Sequence, residues 1–321
     1  MVTALTSEQV HRYLARIRLK PTDRSPDLSY LNVLIRAQLV SIPYENLSIH
    51  YSPTNTICLD IPSLYNKIVL KKQGGYCMEL NNLFAALLIA VGYDVNARAG
   101  RVWKVGSPSG SDGESDANNW TGWSHMVLIV GLEGVDYFVD VGFGANGPVQ
   151  AIPLPPRSSL SDVVQEVRPE QHQIGPIKVP HSPSQTMYII RHRRDPESEW
   201  TPLFCFDPYT AFCASDYEVM SFNCHCHPMS PFVTNILCTT VEFDGDRAVS
   251  RMMLQNNVLK VRKDGKNMVM EKFDDEQARI NCIELLWGFG ITDDEKKGLQ
   301  KWGLGIQGPE KEKGVPITGW S

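Results

Sequence analysis

Hydrophobic side chains recur at helical spacing through the first 92 residues of the chain. Thr6 and Gln9 have the spacing of a capping box, which predicts a first helix, and a second helix is expected to end before Pro43. Pro62 opens a third helix, and a fourth ends before Gly92. The fourth helix has the clearest apolar face, formed by Leu80, Leu83, Phe84, Leu87, Leu88 and Val91. Four short helices with brief connections predict a helical bundle.

The composition changes after residue 95, where Val, Ile, Thr and aromatic residues become frequent and Gly and Pro interrupt the runs. This pattern predicts β-strands through residues 95–243. Two segments break the pattern: residues 104–119 are dominated by Ser, Gly and Asp, and residues 153–183 are rich in Pro and Gln. We expect both segments to be surface loops.

The C-terminal part mixes strand and helix signals. Residues 258–261 and 268–270 flank Lys-Asp-Gly-Lys at 263–266, which predicts a hairpin. A helix is expected over residues 274–287, because acidic residues begin this segment and Gly288 follows it. Helix signals therefore come first along the chain, strand signals follow, and the C-terminal part mixes both.

Composition and charge narrow the class of protein. The chain has 321 residues, of which 42% are hydrophobic and 21% charged, and a formal net charge of −5. These values allow a buried core, and the acidic balance argues against a nucleic-acid partner. No signal peptide and no run of about 20 apolar residues is visible, so we expect no membrane association. A cytoplasmic location is expected, where the eight cysteines would stay reduced.

One of these cysteines has a setting that favours reactivity. Cys77 lies in the first turn of the predicted fourth helix, directly after Gly74, Gly75 and Tyr76. Free N–H groups and the helix dipole at this position favour a thiolate over a thiol, and the glycines allow close approach of another backbone. The plainer alternative is a small buried side chain, since free cysteine is often buried. Cys77 is therefore a candidate nucleophile.

A cysteine nucleophile needs a base, and the base needs an orienting group. One predicted strand begins at His125, and the next holds Asp140. The Glu-Gly pair at 133–134 is a candidate two-residue turn, in which Leu132 faces Val135. In that register His125 and Asp140 lie on one face of the sheet, on a diagonal, whereas a shift of one residue would separate them. With the helix-start cysteine they predict a Cys-His-Asp enzyme, although each residue alone is common in a core or a turn.

Two other sequence patterns give weaker evidence of a functional site. Cys-His-Cys-His at 224–227 looks like a metal site, but alternating ligands in one strand point to opposite faces, and no second ligand cluster has finger-like spacing. The basic run at 191–194 could meet a coenzyme phosphate, although such runs usually end a solvated strand. No glycine motif for nucleotide hydrolysis or dinucleotide binding occurs.

Four motifs in one order carry a family resemblance. They are SIPYENL at 41–47, GGYC at 74–77, TGWSH at 121–125 and VDVGFG at 139–144. Together they resemble the arylamine N-acetyltransferase family, and the chain looks like a fungal-like member. The resemblance is firm over residues 31–147 and diffuse beyond them.

The resemblance implies an α+β fold in three parts with a cysteine-protease-like Cys-His-Asp core. The implied parts are a helical bundle over residues 1–92 that carries the nucleophile, a β-barrel over 93–215 that carries the histidine and aspartate, and an α/β lid over 216–321. This division agrees with the order of helix and strand patterns along the chain.

Matched position by position, the family implies that Cys77 is the nucleophile, His125 the general base and Asp140 the carboxylate that orients it. The other implied contacts are Thr121, Gly122 and Ser230 with coenzyme A, and Tyr44 and Phe143 with the arylamine pocket. The implied partners are a small arylamine and acyl-CoA, which acts as a co-substrate, with no permanently bound cofactor and no metal. Relatives use acetyl-CoA or, in some fungi, malonyl-CoA, and no residue here decides between these donors.

The sequence departs from the family pattern at two places. Gln73 stands where the family usually has an arginine, which is implied to pair with the glutamate corresponding to Glu45. A glutamine cannot offer a charged bidentate fork, so we expect another basic group or water to compensate Glu45. The segment 104–119 is longer than in most relatives.

The expected reaction is a ping-pong acyl transfer from acyl-CoA to an arylamine or arylhydrazine through S-acyl-Cys77, with a role in xenobiotic detoxification. A Cys-His-Asp hydrolase or a transglutaminase-like enzyme is an alternative, because the same triad serves these reactions. A metal or redox binding module built on residues 224–227 is a second alternative. The physiological arylamine and the oligomeric state stay open.

Overall fold

The structure is a computed structural model that describes residues 3–22, 24–104, 106–107, 116–165, 167–179, 182–288, 290–301 and 303–306. Of the surface loop predicted at 104–119, only the two ends belong to these residues. The C-terminal end of that segment forms a 3-10 turn at Ala117–Asn119.

Helices build the N-terminal part, as predicted. They are α1 (Ser7–Arg16), α2 (Leu28–Ser41), α3 (Leu47–His50), α4 (Ile61–Tyr65) with a π-helical turn (Asn66–Leu70), and α5 (Cys77–Ala90), and a short strand β1 (Tyr44–Glu45) lies between α2 and α3. The capping box at Thr6 is present, since its side chain accepts a hydrogen bond from the backbone N–H of Gln9. Gly92 follows α5 with φ +98°, as expected for a left-handed helix end.

The larger sheet contains the strands β2 (Asp94–Trp103), β3 (Trp120–Leu132), β4 (Val135–Val139), β5 (Ile152–Pro153), β6 (Val164–Gln165), β7 (Gln171–Val179), β8 (Ser182–Arg193) and β9 (Thr201–Phe206). They are antiparallel in the order β5-β4-β3-β2-β9-β8-β7-β6 and form a nearly closed barrel. Leu132 pairs with Val135, and Glu133 and Gly134 both have positive φ. The predicted two-residue turn and its register are confirmed.

The C-terminal part contains α6 (Ala214–Cys226), α7 (Pro231–Thr234), β10 (Leu237–Asp244), β11 (Arg247–Gln255), β12 (Val258–Lys263), β13 (Lys266–Lys272), α8 (Glu276–Trp287), α9 (Asp293–Lys296) and a 3-10 turn (Lys297–Lys301). The second sheet has the order β1-β10-β11-β12-β13. Within it Tyr44 pairs with Thr239, so two residues that are far apart in the sequence lie side by side. The predicted hairpin is confirmed, with positive φ at Asp264 and Gly265, and the predicted last helix corresponds to α8, followed by Gly288 at φ +75°.

The prediction of a surface loop over residues 153–183 agrees with residues 154–163, which form no helix or strand, but it is wrong for Gln171–Val179, which form β7. β7 pairs with β8 from Gln171 opposite Arg193 onward. His172 and Ile174 are buried while Gln171 and Gln173 are partly exposed, which is the period-two pattern of a half-buried strand. The Pro and Gln content hid this pattern, and the pairing with β8 outweighed the low intrinsic strand preference.

The assignment of residues 224–227 to a strand is also wrong, because the predicted strand region is interrupted by helices at Ala214–Cys226 and Pro231–Thr234. Residues 214–226 form α6, whose buried positions Tyr217, Met220, Ser221 and Cys224 follow helical spacing. The alternation argument against a metal site therefore used the wrong element. Across the ranges given above, no group of three or more His, Cys, Asp or Glu side chains could hold a metal ion.

Two further observations concern the length of the helices and the state of the cysteines. Within the described ranges, no helix is long and apolar enough to cross a bilayer. All eight cysteines belong to the described part of the chain, and all of them are free thiols.

The largest apolar cluster joins the helices to the barrel. It contains Phe84 of α5, Met126 and Leu128 of β3 and Val139 of β4, all buried, and Cys77 belongs to it. Each such side chain contributes about 1.5 to 3 kcal/mol when fully buried. The cluster therefore fixes the first turn of α5 against the strands that carry His125 and Asp140.

A buried charge cluster supports the segment before α5. Lys67 Nζ lies 2.7 Å from Glu79 Oε1 and 3.7 Å from Glu45 Oε1, and both carboxylates are almost fully buried. Burial alone lowers the pKa of Lys67, but Glu79 and Glu45 together raise it above its ordinary value. Burial raises the pKa of Glu79, which Lys67 opposes. Lys67 is thus the basic group that compensates Glu45 in place of an arginine at position 73.

We expect Lys67→Met to lower the free energy of unfolding by about 3 kcal/mol, because it leaves two buried carboxylates without a cation. Gln73 lines the same small pocket as Glu45, so Gln73→Arg should raise the melting temperature and restore part of the loss in the Lys67→Met background. Urea denaturation measures the change in the free energy of unfolding and thermal denaturation the change in melting temperature, with the exposed Lys71→Met as the control. A lower melting temperature for Gln73→Arg would show that residue 73 does not reach Glu45.

Candidate active site

Cys77 is the first residue of α5, and Tyr76 is its N-cap. The backbone before it fits tightly against β1, since Glu45 N donates to Gly75 O at 2.9 Å. A Cβ at Gly74 would lie 2.1 Å from the carbonyl oxygen of Pro43, so only glycine fits there. The two glycines of the motif therefore bring β1 and the start of α5 into contact, as predicted.

The structure brings His125 and Asp140 together. His125 Nε2 lies 2.7 Å from Asp140 Oδ2, and each residue is 2% exposed. An ionised carboxylate only accepts, so Nε2 carries the proton and donates to Asp140, which leaves Nδ1 for other contacts. His125 and Cys77 lie close enough for each to shift the pKa of the other. The three predicted triad residues thus lie together at one buried point.

Asn81 is a functional candidate that the sequence reasoning missed. Its Nδ2 donates to Asp140 Oδ1 at 2.9 Å and to Met126 O at 2.7 Å, and its Oδ1 accepts from Val141 N at 3.0 Å. It is fully buried, one helical turn after Cys77. A polar residue at this position of an otherwise apolar helix face was the available signal. Asn81 ties Asp140 to the helix that carries the cysteine.

Gly142 allows the Asp140 loop to reach α5. A Cβ at this position would lie 2.7 Å from Cys77 Cα and 2.9 Å from Asn81 Nδ2. The backbone N–H of Gly142 donates to Asp140 Oδ1 at 2.8 Å. The glycine after Asp140-Val141 is therefore required by close packing rather than by turn formation alone.

A bulge in β3 sets the surroundings of the two sulfur atoms. His125 pairs with Gly100 and Trp123 pairs with Arg101, so Ser124 is the extra residue. The Ser124 carbonyl oxygen lies 3.9 Å from Cys77 Sγ and 3.5 Å from Cys224 Sγ. Cys224 of α6 is therefore a second buried thiol beside the candidate nucleophile, which the strand assignment of this segment had concealed.

The protonation of Cys77 and His125 depends on their burial and on their mutual interaction. Burial raises the pKa of the Cys77 thiol, and the nearby His125 opposes this rise. For His125, burial lowers the pKa, but Asp140 and Cys77 outweigh it and raise the pKa to about 10. The imidazole is therefore a strong proton acceptor for the thiol, and formation of a thiolate depends on His125 and Asp140.

Aromatic side chains surround the histidine. The ring of Phe143 lies 5.1 Å from that of His125 and 4.8 Å from that of Phe204. Tyr44 is buried on β1, and burial, together with the charges of Cys77, Cys224 and Asp140, raises its pKa well above its ordinary value. The two residues predicted to line an arylamine pocket thus both lie near the triad.

The predicted coenzyme contacts lie further out. The Oγ1 of Thr121 accepts from Val102 N at 2.8 Å and lies 2.7 Å from Ser124 Oγ, so it braces the bulge. Gly122 is exposed, and the space where a Cβ would stand is open. Ser230 is buried as the N-cap of α7 and donates to the carbonyl of Cys224. Thr121 and Gly122 are together on β3, while Ser230 reaches the site only through α6.

The chain is similar in sequence to known N-acyltransferases. A family model described as N-acetyltransferase matches residues 27–292. The chain is 33% identical over 282 residues to N-malonyltransferase FDB2 of Gibberella moniliformis, which covers 85% of this chain and 81% of that protein. It is 30% identical over 286 residues to the arylamine N-acetyltransferase of Mycolicibacterium smegmatis, which covers 88% and 92%.

A solved structure shows the same architecture. The arylamine N-acetyltransferase of Mycobacterium marinum in complex with CoA matches with a TM-score of 0.73 at 26% identity, over 91% of this chain and 99% of that chain. The predicted α+β class, with N-terminal helices and a nearly closed barrel, is confirmed. With the match of the family model over most of the chain, the protein belongs to the arylamine N-acetyltransferase family of acyl-CoA-dependent acyltransferases.

Proposed function

We propose that the protein transfers an acyl group from acyl-CoA to an arylamine or arylhydrazine by a ping-pong route through S-acyl-Cys77. The observation that carries the proposal is the buried group formed by Cys77, His125 and Asp140, in which His125 is hydrogen-bonded to Asp140 and interacts electrostatically with Cys77. A cysteine, an imidazole with a raised pKa and a carboxylate are the groups that nucleophilic catalysis by a thiol needs. Membership of the family adds the substrate class.

In the first half-reaction, His125 accepts the proton of Cys77, and the thiolate attacks the thioester carbonyl. The oxyanion that forms needs a donor, and the backbone N–H of Cys77 is our candidate because the first N–H groups of a helix make no intrahelical bond. The carbon–sulfur bond to coenzyme A then breaks, and the imidazolium of His125 protonates the leaving thiolate. Acyl-Cys77 and free coenzyme A are the products.

In the second half-reaction, the arylamine nitrogen attacks acyl-Cys77 while His125 takes up its proton. An aromatic amine is neutral near pH 7, so its lone pair is available where an alkylamine would be protonated. Phe143 and Tyr44 form the walls against which the aromatic ring packs. The carbon–sulfur bond to Cys77 breaks, and the amide and the free enzyme result.

The donor enters along the exposed part of β3 in this proposal. Gly122 leaves open space beside the strand, and Ser124 two residues later has its carbonyl at the Cys77 sulfur. Thr121, Gly122 and Ser230 are the residues we assign to coenzyme A. Because one relative is an N-malonyltransferase and another an arylamine N-acetyltransferase, malonyl-CoA and acetyl-CoA are both donors to be tested.

The biological setting is proposed from the same observations. Eight free thiols suit a reducing compartment, so we place the protein in the cytoplasm. Conversion of foreign arylamines to amides would be its role there, which makes it an enzyme of xenobiotic detoxification.

The test is a donor and acceptor panel with purified protein. A stoichiometric burst of free coenzyme A is expected before the amine is added, and peptide mapping should place the acyl group on Cys77. The burst should vanish in Cys77→Ala, whereas Cys224→Ala should still carry the acyl group on Cys77. An acyl group on Cys224 instead, or peptide cleavage without a burst, would contradict the proposal and favour a different Cys-His-Asp enzyme.

His125 and Asp140 are expected to act as one unit. His125→Ala and Asp140→Asn should each slow acylation of Cys77 by about 10³-fold, and the double variant should be little slower than the worse single variant. In Asp140→Asn the thiolate titration of Cys77 should move to higher pH, because the imidazolium has lost its carboxylate. Losses that simply multiply would indicate independent, structural roles.

Asn81→Ala is expected to slow acylation by about 10 to 100-fold, since Asp140 loses a hydrogen bond made to a charged group. As a positioning residue, Asn81 should also move the pH profile of acylation, because a misplaced Asp140 raises the pKa of His125 less. The matched control is Asn82→Ala, which removes a hydrogen bond to Leu59 O instead. Equal pH profiles for the two variants would assign Asn81 a structural role only.

A further inference from the structure

A second buried ion cluster lies outside the triad, between the barrel and the C-terminal sheet. Glu170 Oε2 accepts from Arg251 Nε at 3.0 Å, and Glu170 Oε1 accepts from Arg262 Nη1 at 3.3 Å. The three side chains are at most 1% exposed. Arg251 belongs to β11 and Arg262 to β12, so two strands of the second sheet deliver both cations to one point.

The two guanidinium groups also bind a stretch of backbone. Arg262 Nη1 donates to Ala145 O at 3.3 Å and to Asn146 Oδ1 at 2.6 Å. Arg251 Nη2 donates to Gly147 O at 2.8 Å. Residues 145–147 are therefore held by cations that come from the C-terminal sheet, over 100 residues later in the chain.

This stretch continues directly from the site. Phe143, whose ring packs against His125, lies two residues before Ala145. The start of the loop is fixed by Asn81, which binds Asp140 and Val141, and its end is fixed by the two arginines. Phe143 lies between these two attachments, so its position depends on both of them.

The charges make this second attachment strong. Burial alone raises the pKa of Glu170, but Arg251, His192 and Arg262 outweigh it and hold the pKa well below its ordinary range. Burial lowers the pKa of Arg262 to about 10, so it stays charged at neutral pH. A buried cluster of this kind contributes little net stability compared with well-packed apolar side chains. Its main effect is therefore on the position of the backbone that it binds.

We propose that Arg251 and Arg262 are positioning residues of the acceptor site: they hold residues 145–147 and thereby fix Phe143 against the arylamine. The inference rests on the proposed function and adds that the C-terminal sheet sets the affinity for the acceptor. Asp140 has its own attachment through Asn81 and itself holds His125, so we expect the donor half-reaction to depend much less on the two arginines than the acceptor half-reaction does.

The experiment separates the two half-reactions in full-length protein. In Arg262→Met the acylation rate of Cys77 by acyl-CoA should stay within about twofold of wild type, while KM for the arylamine should rise about tenfold. Arg262→Lys keeps a positive charge but has only a single donor group. Its KM for the arylamine should therefore lie between the values of wild type and Arg262→Met. A merely structural role would not separate the acceptor KM from the acylation rate.

The matched control is Arg279→Met. Arg279 is 1% exposed and pairs with the partly exposed Glu276, and its other hydrogen bonds lead to Tyr51, Asn256 and Leu304 rather than to residues 145–147. It should lower the melting temperature without changing the acceptor KM. An equal rise of the acceptor KM in this control, or an unchanged KM in Arg262→Met, overturns the proposal.

A second pair of variants keeps the test decisive if Arg262→Met does not fold. Arg251→Lys and Arg262→Lys each retain a positive charge, and at least one of them should raise the acceptor KM about threefold with acylation unchanged. Wild-type KM values in both would overturn the inference. Absence of any acylation of wild-type Cys77 would instead overturn the proposed function, so the two failures are distinguishable.

Discussion

The hydrogen bond between His125 and Asp140 is the interaction on which the site depends. A carboxylate buried this deeply needs partners for both oxygens, and it has them: His125 on one, Asn81 and Gly142 on the other. Asn81 comes from α5, so the same contacts that satisfy Asp140 also fix the distance between the barrel and the helix that begins with Cys77. Gly142 and the apolar cluster around Phe84 both allow the strands of the barrel to lie close to α5. The strength of His125 as a base follows from it.

The same logic explains why basic side chains are found inside the molecule at two further places. Lys67 lies between Glu45 and Glu79 and supports the backbone before α5, and Arg251 and Arg262 surround Glu170 and support the backbone after Asp140. Each cluster joins segments that are distant in sequence. Breaking one member of such a cluster costs more than the cluster contributes as a whole. In the sequence, one cluster contacts the segment before Cys77 and the other contacts the segment after Asp140.

Local signals made the core of the site predictable. The position of Cys77 at a helix start and the register of the hairpin at 133–134 depend on residues close in sequence, and the structure shows both. The contact of Ser124 with Cys224, and the cations that hold residues 145–147, depend on α6 and the second sheet, so no local pattern reveals them. The two errors differ in origin: β7 forms through its pairing with β8, against the composition of its segment, whereas α6 has buried positions at helical spacing that the strand assignment overlooked. The replacement of an arginine by Gln73 was visible in the sequence, but its compensation by Lys67 was not.

The pairing of Tyr44 with Thr239 has a consequence for how the molecule is made. The short strand β1 cannot join its sheet until β10 has left the ribosome, almost 200 residues later. Contacts between residues so far apart carry a large loop-closure cost and slow folding. During synthesis the helices around Cys77 can assemble early, while Tyr44 must wait for the C-terminal half before it reaches its final position. A nascent chain therefore carries Cys77 long before the surroundings of that thiol are complete.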